Sequence, residues 1–438
     1  MTKKAPSKGK PPQAASHASS RAAAVRIVLS WLRTGRFPAP LLDNVHEDRA
    51  VVAEMVYGCI RWKGLFEWMI GRLARTRPSR EVRAYLWVGL HQIFFMDGVP
   101  AYAAVAETVQ AARKGPARRA AGFINAVLRR AAGEMDALRA DAGRQPLHVR
   151  ESHPDILVKR WERHFGPEAA EALCRWNNTP PTLALTVDTA RTSLEAFRAG
   201  LTAHGVEAHA HPSSPDLFVE VPAVTNVRAL PGYDEGLFTV RDPATQKAVD
   251  LLDVRPGMRV LDACAAPGGK TVAVAQRLAD RGDVLAVEPS GVRRRRLEAN
   301  CRRAGLTCVH IAEGSADTPE ALREVAGHAR FDRVLVDAPC TNTGVLRRRV
   351  DARWRFSANA LGEAVALQRR LLETCLAATA PNGILVYSTC SLEPEENAGV
   401  VEYVLAKHTD MAMEESLQTF PPTSGTDGMY AAAIRRLT

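Results

Sequence analysis

Two of the eight cysteines stand where they could do carbon chemistry. The apolar run Val334–Val336 leads into Asp337-Ala338-Pro339-Cys340, and Ile384–Tyr387 leads into Ser388-Thr389-Cys390. A thiolate is a strong nucleophile. Added to C6 of cytosine, it breaks the ring's aromaticity and pushes electron density to C5, which can then attack an electrophilic methyl group. A carboxyl group beside the base would hydrogen-bond the exocyclic amine and ring nitrogen, and Asp337 is the candidate. Afterwards the C5 proton must leave and the thiol must be expelled. That needs a second acid–base group nearby, and with Cys390 as nucleophile Cys340 fits. Pro394 suits the first position of a helix, whose N-terminus would then lie near Cys390 and favour its thiolate. The two cysteines are symmetric in the sequence, so which one attacks stays open at this level. The base must be unpaired or flipped, because attack at C6 needs access to the ring face.

A methyl donor needs its own cradle. Val260-Leu261-Asp262-Ala263 reads as a buried strand, and Cys264-Ala265-Ala266-Pro267-Gly268-Gly269-Lys270 as a turn of small residues entering a helix. Small residues let peptide N–H groups approach a ligand closely. The string is neither G-x-G-x-x-G nor a Walker A loop. Glu288 ends the next apolar run, Val284–Val287, about 20 residues after the glycines, a spacing suited to ribose hydroxyls.

These residues need a scaffold that brings strand ends together. From about residue 241 short apolar runs (259–263, 284–287, 307–311, 334–336, 384–387) alternate with helical patterns (269–280, 290–304, 319–327, 358–379, 394–407). Such alternation predicts a parallel sheet covered on both faces, an α/β Rossmann-like domain over 241–438. Residues 151–240 mix helical and strand-like stretches and predict a small α+β domain. Residues 21–150 carry apolar positions at three- and four-residue spacing between Pro and Gly turns, which predicts an all-α bundle. Residues 1–20 hold lysines, prolines and small residues with no acidic group, a composition expected to be disordered.

The chain of 438 residues has a formal net charge of +10, which favours a polyanionic partner such as RNA. None of the eight cysteines forms a C-x-x-C pair, so no metal is expected. There is no apolar run of membrane-spanning length. Free thiols point to a reducing cytoplasm, and a monomer is the default expectation.

The strings DACAAPGGKT, DAPCTNTG and YSTCSLEPEEN resemble the cofactor, base-binding and nucleophile loops of the Nol1/Nop2/Sun family of RNA cytosine-C5 methyltransferases. The resemblance extends upstream through Gly232-Tyr233-Asp234-Glu235-Gly236-Leu237-Phe238 and downstream to Thr426-Asp427-Gly428-Met429-Tyr430. The helical part resembles a NusB-like RNA-binding domain in Glu54-Met55-Val56-Tyr57-Gly58 with Arg61, and in Gly122–Arg129. Together these resemble the bacterial Sun-type subgroup, which implies methylation of small-subunit (16S) ribosomal RNA using S-adenosyl-L-methionine. By that resemblance Cys390 is the nucleophile, Cys340 assists release, and Asp337 sits between cofactor and base. Cys264, Ala265, Ala266, Pro267, Gly268, Gly269 and Lys270 cradle the donor's amino-acid part, Glu288 holds the ribose, and Glu313 contacts adenine, with Asp317 as the fallback.

Thr186, Asp188 and Arg241 stand where the family commonly has Arg, Asn and Gln, positions expected to touch RNA. Arg347-Arg348-Arg349 follow the Cys340 loop and are read as phosphate contacts, whereas Arg293–Arg296 surround a helical turn and cannot all face one ligand. Three competing readings are a DNA cytosine-C5 methyltransferase led by Cys340, a transfer-RNA methyltransferase, and a non-catalytic ribosome assembly factor.

Overall fold

The computed structural model describes residues 14–45, 48–222 and 226–437. Most of the basic tail expected over residues 1–20 lies outside the described residues, and a helix has begun by Ala14.

The chain divides into two compact units, Met1–His164 and Phe165–Thr438. The first is helical: α1 (Ala14–Thr34), α2 (Ala39–Leu42), α3 (Arg49–Arg61), α4 (Lys63–Leu73), α5 (Arg80–Phe95), α6 (Ala101–Arg113), α7 (Ala121–Gly133), α8 (Met135–Gly143) and α9 (Leu147–Arg150). Helix α5 is its axis. Ser79 caps it by accepting from Val82 N, Glu81 favours its positive end, and Val82 together with Ala84 through Phe94 is buried. A helix apolar on all sides belongs at the centre of a bundle, and α1, α3, α6 and α7 pack around it. Helix α10 (Asp155–Phe165) spans the boundary between the two units.

The second unit opens with α11 (Pro167–Asn178) and a four-stranded antiparallel sheet in the order β2-β3-β1-β4. Its strands are β1 (Leu183–Val187), β2 (His209–Ala210), β3 (Phe218–Val221) and β4 (Phe238–Val240), and α12 (Leu194–Ala203) packs Phe197 and Leu201 against Leu185, Val219 and Phe238.

The larger sheet follows. Its elements are α13 (Ala244–Leu251), β5 (Arg259–Asp262), α14 (Gly269–Arg277), β6 (Asp283–Val287), α15 (Gly291–Arg303), β7 (Val309–Ala312), α16 (Pro319–Ala326), β8 (Phe331–Asp337), α17 (Ala358–Ala378), β9 (Thr379–Thr389), α18 (Ala398–Leu405), β10 (Met411–Thr419), α19 (Pro421–Ser424) and β11 (Met429–Arg436). The order is β10-β11-β9-β8-β5-β6-β7; β5 to β9 run parallel and β11 is antiparallel to both its neighbours. Strand order reverses between β5 and β8, and the carboxyl edge at such a switch point is where ligands bind in open α/β sheets. The loops after β5, β8 and β9 all emerge there.

Two expectations changed. β10 and β11 were not foreseen: β11 is alanine-rich and sits mid-sheet because its small residues Ala431 and Ala433 pack with Ala244 and Ala248 of α13. Pro394 opens a 3₁₀ turn, Pro394–Glu396, and the α-helix starts only at Ala398.

Candidate active site

The loops after β8 and β9 bring the two cysteines together. Cys340 Sγ lies 3.3 Å from Cys390 Sγ. Cys390 Sγ also donates to Asn342 Oδ1 at 3.3 Å, while Asn342 Nδ2 donates to the Cys340 carbonyl at 2.7 Å. Asn342 adopts φ +62°, a left-handed conformation that Asn tolerates better than most side chains, and its amide spans from the Cys390 sulfur to the Cys340 carbonyl. The hydrogen bond with Cys390, followed by burial, pushes the Cys340 thiol well above its ordinary range. Cys340 is therefore a proton-holding group in this state. The expected helix N-terminus beside Cys390 is replaced by these two polar neighbours.

Two glycines make the approach possible. Gly344 N donates to the Cys390 carbonyl at 3.0 Å, and Gly428 N to the Gly344 carbonyl at 2.8 Å. A Cβ on Gly344 would meet the Gly428 carbonyl oxygen at 2.4 Å and that of Cys390 at 2.9 Å. The segment ending β8's loop is thus threaded between the nucleophile-candidate loop and the start of β11.

Asp337, at the end of β8, is held from two sides: Lys270 Nζ lies 2.6 Å from Oδ2, and Ser388 Oγ donates to Oδ1 at 2.9 Å. Lys270 comes from the first turn of α14, so this ion pair joins the glycine loop to the cysteine loops. Beneath it, Asp262 is buried; Thr271 Oγ1 donates to its Oδ2 at 2.7 Å and its Oδ1 has no protein partner. Burial raises its carboxyl to about 6.

The loop itself is built to face a ligand with acceptors. Arg293 Nη2 donates to the Ala266 carbonyl at 2.6 Å and Asn300 Nδ2 to the Pro267 carbonyl at 2.8 Å, both from α15. Because a trans peptide is planar, the Gly268 N–H points away from α15. Gly268 has φ +107°, and a Cβ there would sit 2.8 Å from Leu297. Glu288 is 1% exposed; its Oε1 accepts from Ser290 N at 2.9 Å, with Arg293 3.5 Å from Oε2. This donor and acceptor set fits an amino-acid group joined to a ribose.

The remaining predicted residues are further out. Glu313 follows β7 as Glu288 follows β6, but it is exposed and paired with Arg294 at 2.7 Å. Asp317 accepts from Ser315 Oγ at 2.6 Å and lies 3.6 Å from Arg370. Arg295 and Arg296 are solvent-exposed.

Two of the three arginines read as phosphate contacts, Arg347 and Arg348, make contacts within the protein. Arg347 donates to the Pro180 carbonyl at 2.5 Å and stacks 4.5 Å from the Trp176 ring. Arg348 bridges Asp242 at 3.0 Å and Asp427 at 2.9 Å and donates to the Thr182 carbonyl. The family departures have a similar explanation: buried Arg241 donates to Thr186 Oγ1 at 3.3 Å and to Gln246 Oε1 at 2.5 Å, so two departures form one internal contact. Asp188 Oδ1 accepts from Ala190 N in its own turn.

Residues that the sequence reasoning left without a role are Asn342, Ser388, Gly344 and the Thr341–Ser391–Glu396 group. Asn342 alone carried a usable signal, as a residue suited to left-handed turns.

A family model described as 16S rRNA methyltransferase RsmB/F matches residues 249–435, a NusB family model matches 18–133, and an RsmF/B-like ferredoxin-like domain matches 153–221. The chain is 36% identical over 411 residues to the ribosomal RNA small subunit methyltransferase B of Erwinia tasmaniensis, covering 91% of this chain and 92% of that protein. It is 35% identical to the Sodalis glossinidius protein of the same name, over 96% and 98%. A solved methyltransferase homologue from Pyrococcus horikoshii superposes with a TM-score of 0.58 at 27% identity, covering 66% of this chain and 98% of that one.

Proposed function

The chain belongs to the RsmB/F family of 16S rRNA methyltransferases, and from that premise we propose that it methylates C5 of a cytosine in small-subunit ribosomal RNA through a covalent bond from Cys390 to C6. S-adenosyl-L-methionine, when bound, supplies the electrophilic methyl group. The loop Cys264–Lys270 and Glu288 would hold it, and Glu313 or Asp317 would border its adenine.

The residues' tasks follow from the chemistry. The Cys390 thiolate adds its electron pair to C6, forming the S–C6 bond. Asp337, oriented by Lys270 and Ser388, accepts the cytosine amine and stabilises charge on the ring. With Cys390 bonded to C6, the hydrogen bond that most holds the Cys340 proton is gone and that proton passes to solvent. Once C5 carries its new methyl, the Cys340 thiolate takes the C5 proton, the S–C6 electrons return to sulfur and Cys390 is released. The observation that carries the reading is the 3.3 Å between the sulfurs: one base position can be reached by both. All of these groups come from one chain, so we read the active form as a monomer. We place it in the cytoplasm, where reducing conditions keep so close a thiol pair from oxidising.

The test is a pair of substitutions assayed on 16S rRNA with labelled donor. Cys390→Ser should abolish transfer, and Cys340→Ser should trap a protein–RNA adduct that survives denaturation. An active Cys390→Ser enzyme, or a Cys340→Ser enzyme dead without adduct, would reverse the roles.

A further inference from the structure

Among the fully buried charged residues that the mechanism leaves unused, Glu396 accepts a hydrogen bond from Ser391, the residue after Cys390. Glu396 sits in the 3₁₀ turn after Cys390, and its carboxylate accepts four hydrogen bonds. Oε1 receives Thr341 N at 2.8 Å and Gln368 Nε2 at 3.0 Å; Oε2 receives Ser391 Oγ at 2.5 Å and Thr341 Oγ1. Two carboxylate oxygens have about four acceptor sites, so the group is saturated. A buried charge is tolerable only when compensated in this way.

The donors' origins matter more than their number. Thr341 directly follows Cys340, Ser391 directly follows Cys390, and Gln368 belongs to α17 and also donates to the Pro339 carbonyl at 2.9 Å. One carboxylate therefore gathers the residue next to each thiol and ties both to a long helix. The turn that carries it is itself pinned: Tyr387 OH donates to the Glu396 carbonyl at 2.6 Å, Thr389 Oγ1 donates to Asn397 Oδ1 at 2.6 Å, and Asn397 Nδ2 donates to the Ser391 carbonyl at 3.0 Å. Backbone bonds link the two loops on either side, Ala338 to Ser388 and Gly344 to Cys390; between them Glu396 adds a charged side-chain tie beside those of Asn342 with Cys390 and Thr343 with Ser391.

We propose that Glu396 is a positioning residue for methyl transfer, acting through Thr341 and Ser391 to hold the Cys340 and Cys390 thiols within reach of one base. This rests on the roles given to the two cysteines above. The electrostatics agree: the charge of Glu396 is among the causes that keep the Cys340 thiol protonated. A glutamine can preserve part of the arrangement, because its amide oxygen keeps Thr341 N and Gln368 while its NH₂ donates to the Thr341 and Ser391 hydroxyls, which can turn to accept. An alanine preserves none of it.

The experiment uses the full chain with 16S rRNA and labelled donor, and compares wild type, Glu396→Ala and Glu396→Gln. Single-turnover transfer should fall about 10²-fold in Glu396→Ala, the loss expected of a displacement near 1 Å, and less in Glu396→Gln. Donor affinity should stay within about twofold, since the glycine loop is untouched. The second readout is geometric. Diamide, an azo oxidant, takes two electrons from the thiol pair, closing an S–S bond while both protons pass to its nitrogens. The rate of closure of Cys340–Cys390, followed by mass spectrometry, should fall at least about tenfold in Glu396→Ala, because exchange demands close approach of the sulfurs. Closure within about twofold of wild type in Glu396→Ala overturns the proposal, as does unchanged transfer; if that variant does not fold, both rates within about twofold in Glu396→Gln overturn it. The closure rate does not depend on which cysteine attacks RNA. An active Cys390→Ser enzyme thus sinks the assigned roles, while unchanged closure sinks the clamp.

Discussion

Replacing Gly344 by alanine should cripple transfer while sparing donor binding. The added Cβ would meet the Gly428 carbonyl oxygen at 2.4 Å, against the 3.4 Å at which ordinary van der Waals contact begins, so about 1 Å of relief must be found. Both obstructing atoms are backbone, and one belongs to Cys390 itself at 2.9 Å. The relief must therefore come from moving the Cys390 loop, the start of β11, or both. A misplacement of that size costs about 10²-fold in rate when it falls on reacting groups. Lys270, Glu288 and the glycine loop lie on other elements, so donor affinity by calorimetry should change by less than about twofold. The assay is single-turnover methylation of 16S rRNA, with circular dichroism to verify folding. An internal control is Gly362→Ala on the exposed side of α17, where a Cβ meets nothing within 4 Å; it should raise stability by about 0.5–1 kcal/mol and leave the rate alone. Wild-type transfer in Gly344→Ala would refute the reasoning, since it would mean that the close threading of the two loops has no part in placing the thiol.

Two buried ionisable groups predict opposite pH dependences. His91 stacks on Phe95 at 5.8 Å, and burial, then Arg61, lowers its ring to about 3. Its folded value lies below the unfolded one near 6.5, so the unfolded chain takes up the proton first, and stability present above that value is lost as pH falls towards 3. Unfolding free energies from urea titrations at pH 7 and 4.5 should diverge by up to roughly 2–3 kcal/mol more in wild type than in His91→Leu; equal divergence counts against it. Asp262 runs the other way. Its folded value of about 6 exceeds the unfolded value, so stability falls as pH rises from the ordinary carboxylate range to about 6. The stability of Asp262→Asn relative to wild type should therefore be greater at pH 7 than at pH 4, by on the order of 3 kcal/mol at most, and a pH-independent difference would exclude this account.

Local pattern and chemistry carried much of the molecule. The alternation of short apolar runs with amphipathic helices was enough for the α/β domain, because parallel strands buried on both faces must be apolar throughout. The strings around Cys264–Lys270, Cys340 and Cys390 were legible because each is contiguous, ending a strand and filling one loop. The last two strands were not legible. β10 reads Met411-Ala-Met-Glu-Glu-Ser-Leu-Gln-Thr419 and β11 is rich in alanine, so neither shows strand propensity; β11 is placed by pairing with β9 and by the cover of α13, and β10 by pairing with β11. Nor could the sequence show what an arginine would touch: Arg241, Arg347 and Arg348 are spent on contacts between segments far apart in the chain. The distance between the two thiols belongs to the same class. Cys340 and Cys390 are fifty residues apart, and the parallel pairing of β8 with β9, with the contacts of Gly344, Asn342 and Glu396 between their loops, accompanies their approach to 3.3 Å. Composition and motif determined which chemical groups are present; long-range packing decided which of them can act on one atom, since that depends on contacts no local window contains.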